Sequence, residues 1–104
     1  MPRRTSLHRA LDDMRALSWM LLRERRFASN APDVLLICAV AIGDLEAKPL
    51  TAYKLADFIG MPRPTVIRRL AAMARSGLME RDSRRRYVLT PEGRRRAAKA
   101  AGVV

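Results

Sequence analysis

One cysteine and one histidine in 104 residues exclude several chemistries at once. Cys38 has no partner for an internal disulfide. It lies inside the apolar run VLLICAVAI, where a thiol is most simply a small core residue. With His8 as the single histidine, read as a surface residue, no set of metal-ligating spacing can be assembled. No apolar run reaches the ~20 residues that span a bilayer. The N-terminal apolar positions are spaced rather than contiguous, unlike a signal peptide. The chain is therefore expected in the cytoplasm, away from membranes. Nucleophile constellations, phosphate-cradling glycine loops and internal repeats are missing. Asp12 and Asp13 are adjacent, so on a helix they point about 100° apart and make a poor acid–base pair. The methionines sit at helical core spacings and call for no cofactor. These absences read as a non-enzyme with neither cofactor nor metal.

Acidic residues are also scarce: 10 Asp and Glu stand against 21 Lys and Arg, a net charge of +11. The excess is localised. Residues 1–47 hold 7 basic and 6 acidic side chains, whereas residues 48–104 hold 14 and 4. A basic surface concentrates polyanions, which leaves DNA, RNA or an anionic membrane as partners. Arginine outnumbers lysine 18 to 3. That bias suits bidentate contacts to phosphate and guanine, and it also follows from a GC-rich genome. The length fits one domain, 1–104, small enough for dimerisation to be a natural supplement to its core.

Residues 1–5 read as a frayed basic arm. A first helix is expected from Ser6 to about Phe27, with Leu7, Ala10, Leu11, Met14, Leu17, Ser18 and Leu21 forming one stripe at helical spacing. Trp19 and Met20 fall off the stripe and imply a second buried face, within the chain or against a partner. Arg23, Arg25 and Arg26 suit the negative helix end or simply a solvated one. Ser29-Asn30-Ala31-Pro32 then breaks the pattern, with Ser29 or Asn30 as cap, Pro32 in the first turn and Asp33 complementing the dipole. The following helix, to about Leu45, is apolar on most sides (Val34, Leu35, Ile37, Cys38, Val40, Ala41, Ile42) and should be central to the core.

Thr51 caps a third helix, Ala52 to Ile59, that turns Leu55, Ala56 and Ile59 inward and ends at Gly60. A fourth helix, 62–76, buries Val66, Leu70 and Met73 along one edge and projects Arg68 and Arg69 beside Arg63. Gly77 ends it. Strands Leu78–Arg81 and Arg86–Leu89, joined by Asp82-Ser83-Arg84-Arg85, carry the only strand character in the chain. Alternation places Arg86 and Val88 on one face and Arg85, Tyr87 and Leu89 on the other. Thr90 caps a last helix to about Ala101, with Pro91 in its first turn. Its Arg94, Arg95 and Arg96 cover a wide arc and read as mostly solvated. The predicted fold is mainly α: a winged helix-turn-helix with a two-stranded β wing and flanking N- and C-terminal helices.

The segment LTAYKLADFIGMPRPTVIRRLAAMARSGLMER resembles the winged helix-turn-helix core of MarR-type regulators. The matching positions are Leu50-Thr51, Leu55-Ala56, Gly60, Thr65-Val66, Arg68, Leu70, Gly77-Leu78, and Leu89-Thr90 with Gly93. The likeness covers residues 32–93 well and 6–31 loosely. It implies a cytoplasmic transcription regulator, usually a homodimer on a pseudo-palindromic operator. It carries Arg63, Pro64, Thr65, Ile67, Arg68 and Arg69 to the groove-facing side of the recognition helix, and Arg84 and Arg85 to the wing tip. The wing would reach the minor groove or flanking phosphates. Three departures stand out. Pro62 and Pro64 occupy positions where relatives carry small hydroxyl residues, so backbone donors to phosphate are lost there. The wing is shorter. The chain stops soon after one C-terminal helix, whereas typical members have a longer tail that helps shape a pocket for small aromatic effectors, so a small-molecule effector is not carried over.

The expected function is a sequence-specific duplex-DNA-binding transcriptional regulator, a repressor. It would dimerise through the first helix by Leu7, Leu11, Met14, Trp19 and Leu21, with the last helix taking part. A plasmid- or phage-type DNA accessory factor, and a winged-helix module for RNA or a protein partner, remain open at this stage. For the wing, a charged hairpin that merely blocks edge aggregation is the competing explanation. For the helix arginines, it is a solvated surface.

Overall fold

The computed structural model describes residues 5–23 and 27–100, with backbone alone at 27–29 and 100. Within these, α1 (Ser6–Leu22) and α2 (Phe27–Leu45) precede β1 (Leu50–Thr51), α3 (Ala52–Ile59) and α4 (Arg63–Arg75). Strands β2 (Met79–Arg81) and β3 (Arg86–Leu89) and helix α5 (Pro91–Ala100) follow. The fold is mainly helical with a small antiparallel sheet, a winged helix-turn-helix.

Helix α2 is the centre. Helices α1, α3 and α4 and strand β3 all pack on it. Val34, Leu36, Ile37, Ala39 and Val40 are buried, and the last four meet Leu55 of α3 and Val66 and Leu70 of α4 in one cluster. Two residues expected inside, Leu35 and Ile42, are instead 45% and 46% exposed. The helix is apolar nearly all round, so periodicity could not say which stripe its neighbours would cover. Cys38 is half-buried, and burial pushes its thiol pKa up, which leaves it a poor nucleophile.

The break between the first two helices falls earlier than the sequence pattern implied. Helix α1 closes at Arg23, whose φ of 57° is left-handed and whose N–H bonds the Trp19 carbonyl. Helix α2 opens at Phe27, so Ser29 and Asn30 are helix residues rather than caps, and Pro32 lies inside the helix. Proline there loses its own N–H and crowds the carbonyl four residues back, so the helix is held at this point by its packing rather than by propensity. Thr5 is part of a cap rather than a frayed arm. Its hydroxyl accepts from the His8 N–H at 3.3 Å, and its own N–H donates to His8 Nδ1 at 3.1 Å, a capping box with histidine in the third position. The remainder of the expected arm, residues 1–4, and Arg25 and Arg26 lie outside the described residues.

The sheet has a third strand. Strand β1 pairs antiparallel with β3 (Leu50 opposite Tyr87, Thr51 opposite Arg86), and β2 pairs with the other edge of β3 (Met79 opposite Leu89, Arg81 opposite Tyr87). Strand character is therefore not confined to 78–89. Two residues are too short to show alternation, and β1 exists only because β3 is there to pair with it. Thr51 carries both duties: it pairs in β1 and its hydroxyl caps α3, accepting from the Lys54 N–H at 3.3 Å. The start of the helix-turn-helix is thereby fixed to the wing. Alternation along β3 holds, with Tyr87 and Leu89 buried.

Thr90 knots the C-terminal helix to the turn after α4. Its hydroxyl donates to the Gly77 carbonyl at 2.5 Å and accepts from the Gly93 N–H at 3.0 Å. Of the three arginines that follow, Arg94 pairs with Asp44 at 3.0 Å and Arg95 with Glu92, both remaining well exposed. Arg96 departs from the solvated expectation. It bonds Glu92 and donates to the Leu21 carbonyl at 3.2 Å, tying α5 to α1.

Candidate nucleic-acid interface

The turn between α3 and α4 is built by Gly60, whose φ of 83° costs an L-residue energy and a glycine nothing. Its N–H and that of Met61 both return to the Ala56 carbonyl, at 2.8 and 3.1 Å. Helix α4 then starts at Arg63 between two prolines. Pro62 is its N-cap residue and makes no side-chain cap. Val66, Leu70 and Met73 bury one edge, with exposures of 0%, 0% and 4%. Arg63, Pro64, Ile67 and Arg68 are consequently exposed on the outer side, and Thr65 is half-buried.

Arg69 points elsewhere. Its guanidinium reaches back to Asp33 of α2 at 3.1 Å, and both side chains are largely covered. Of the positions assigned to groove contact, Arg69 is therefore the one held within the protein.

The wing turn is organised by Asp82. One carboxylate oxygen accepts from the backbone N–H of Arg84 at 2.8 Å and of Arg86 at 2.9 Å, and the other accepts from Arg86 Nε at 3.0 Å. The Arg86 N–H, chiefly, holds the Asp82 carboxyl below the usual aspartate range. Burial opposes this, while the Arg84 N–H and the Arg86 guanidinium reinforce it. Arg86 is thus occupied, and Arg84 and Arg85 are the exposed cations of the turn. Arg85 has a φ of 61°, in the left-handed region that non-glycine residues avoid.

Between α4 and the wing runs a cleft of about 170 Å³ lined by Ala52, Tyr53, Ile67, Arg81, Arg85 and Tyr87. Ile67 and Arg85, taken separately from the recognition helix and the wing, meet on it. Tyr53 and Arg81 were not singled out from sequence. Tyr53 did carry a signal: it is an aromatic residue off the inward face marked by Leu55, Ala56 and Ile59. It is 56% exposed, and the Arg63 guanidinium lies 4.6 Å from its ring centroid.

Residues 20–93 match the model of the Crp-like helix-turn-helix domain. The chain belongs to that family. Comparison with curated proteins and with solved structures returned no match. This Crp-like domain is a DNA-binding module of a transcription regulator, which agrees with a winged helix-turn-helix and does not single out the MarR type. The matched span takes in α2 through β3. It leaves out most of α1 and, beyond Gly93, the rest of α5. Among the described residues of the domain, no helix is long and apolar enough to cross a membrane.

Where the assigned dimer residues lie is equally mixed. Leu7 is 82% exposed, Leu11 43% and Trp19 44%, while Met14 is half-buried. Leu21 is 3% exposed and belongs to the chain's own core, with Ser18 buried beside it. The C-terminal half of α1 serves the protomer, and its N-terminal half carries apolar side chains that the protomer leaves open.

Proposed function

We propose that the chain is a sequence-specific regulator that binds duplex DNA with α4 and its flanks (62–76) in the major groove and the wing (81–86) on the minor groove or adjacent phosphates. The observation that carries this reading is the partition of α4. Its apolar edge is buried, while Arg63, Ile67 and Arg68 stand outward and Ile67 shares a cleft with Arg85 of the wing. A helix presented in this way meets phosphates with its flanks and base edges with its side chains. Residues 1–104 form one domain in this reading. It works in the cytoplasm as a repressor that occludes its operator, and the order of flanking helices supports the MarR-type arrangement. A homodimer through the open half of α1 places two recognition helices on a pseudo-palindrome. Duplex DNA is the partner, and the reading calls for no cofactor or enzymatic activity.

The test is selection of genomic fragments by the purified protein, followed by Arg68→Ala and Arg84→Ala on a selected and a scrambled duplex across a salt series. The expected motif is palindromic. Arg68→Ala should cost ~1–3 kcal/mol at one base position. Arg84→Ala should weaken both duplexes and flatten the logarithmic salt dependence by about one unit. Equal weakening of both duplexes by Arg68→Ala would remove α4 from the groove. Enrichment of a replication origin rather than a promoter would favour the accessory factor, and equal binding of single-stranded RNA at matched salt the RNA module.

A further inference from the structure

Arg63 occupies an unusual position. It is the first residue of α4, and prolines stand on both sides of it. Proline restricts the backbone of the residue before it and fixes its own φ, so the main chain bearing Arg63 is stiff. The same prolines remove two backbone N–H groups from the helix start, where an anion would otherwise be met by main-chain donors. Arg63 and Thr65 keep main-chain donors here, but half of the usual set is gone, so the Arg63 side chain carries more of the recognition at this end of α4, and its long stem is its freedom.

Tyr53 takes up that freedom. It lies in the first turn of α3, is 56% exposed, and holds the Arg63 guanidinium 4.6 Å from its ring centroid. A guanidinium stacked on a phenol ring keeps its planar fork of donors available at the edge. That edge is what pairs with O6 and N7 of guanine. Ile67, one helical turn beyond Arg63, borders the same cleft as Tyr53.

We propose that Tyr53 is a positioning residue for base reading: by stacking on Arg63 it pre-orients the guanidinium for one guanine near the N-terminal end of the recognition helix. The inference rests on the groove reading of α4 and assigns a task to a residue of α3, outside that helix. An exposed cation–π contact corresponds to about a two- to fivefold bias toward the stacked arrangement. The discrimination contributed by Tyr53 should be of that size. It should appear at the base pair read by Arg63 and at no other.

The experiment measures full-length wild type, Tyr53→Phe, Tyr53→Leu, Arg63→Ala and the double variant Tyr53→Leu/Arg63→Ala. Each is tested on a selected duplex and on duplexes with every guanine replaced in turn. Tyr53→Leu should lower the preference for one guanine about two- to fivefold, leaving scrambled-duplex affinity and salt slope unchanged. Tyr53→Phe, which keeps the π face, should behave as wild type. Arg63→Ala should abolish preference at the same base pair, and Tyr53→Leu should add nothing to it. Independently of folding effects in the variants, the wild-type Arg63 δ protons should show the upfield ring-current shift of a stacked side chain in the free protein. The inference is overturned if Tyr53→Leu weakens all duplexes equally, if Tyr53→Phe loses as much as Tyr53→Leu, or if the ring-current shift is absent. If Arg63→Ala alters a base preference and Tyr53→Leu does not, the positioning role alone falls. If Arg63→Ala alters none, the assignment of Arg63 to a base edge falls with it.

Discussion

Arg69 of α4 donates from Nη1 to Asp33 of α2 at 3.1 Å, and its Nε is buried without a hydrogen-bond partner. The pair fastens the outer helix to the central one. A charged pair that is mostly, not wholly, covered contributes less than a fully buried one, but removing one member leaves the other stranded. Asp33→Ala should therefore cost about 1–2 kcal/mol in chemical denaturation, and Arg69→Met, which strands the Asp33 carboxylate in its turn, a similar amount. A double-mutant cycle should return a coupling above ~0.5 kcal/mol. A cycle that closes at zero would make the pair incidental.

Gly93 is where α5 meets the sheet. A Cβ there would sit 2.0 Å from the Leu78 carbonyl oxygen, a backbone atom that cannot swing aside. Gly93→Ala should destabilise the fold by at least ~1–3 kcal/mol, lowering Tm by roughly 4–8 °C for each kcal/mol. Gly60→Ala meets no neighbouring atom within 4 Å and pays only for its left-handed backbone. Its cost should be about 1–2 kcal/mol. Thermal melts of the two variants separate steric collision from backbone strain.

The wing should come apart in acid. The Asp82 carboxyl lies below its ordinary value of 3.8 in the folded chain, so its contribution is fully present above that value and is lost as pH falls through the lowered one. Protection of the Arg84 and Arg86 amides, both bonded to Asp82, taken relative to their intrinsic exchange rates, should hold at neutral pH and fall below this window. Asp82→Ala should show little protection at these two amides at every pH. Equal protection of wild type and variant at pH 7 would show that the turn does not depend on the carboxylate.

Dimerisation can be tested without disturbing the protomer. Removing α1 altogether would also remove Leu21 and Ser18 from the core, so point changes at Leu7 and Leu11 are the cleaner probe. Wild type should sediment as a dimer at micromolar concentration. Leu7→Glu/Leu11→Glu should weaken association at least tenfold, since burying one leucine is worth about 1.5–3 kcal/mol. Its helical circular dichroism should be unchanged. A monomeric wild type, or a variant that stays dimeric, removes α1 from the interface.

Helices and turns specified by neighbouring residues were legible in the sequence. Helix α3 runs from Ala52 to Ile59 as expected, because Thr51 caps it and Gly60 ends it within one short stretch of chain. The buried edge of α4, the four-residue wing turn and the Thr90 cap follow from equally local signals. The excess of basic residues in the second half, and with it a polyanion partner, is a property of composition alone. What only the tertiary structure decided depends on residues far apart along the chain. Strand β1 has no pattern of its own and appears because β3 offers a partner. Arg69 and Arg96 resemble their neighbours in sequence, yet one is taken up by Asp33 and the other by the Leu21 carbonyl, while Arg63 is turned onto Tyr53. Local spacing fixes the direction in which a side chain leaves its helix. Whether an acceptor, an aromatic face or solvent waits there is set by the packing of other elements, and that separates an arginine available to DNA from one holding the fold together.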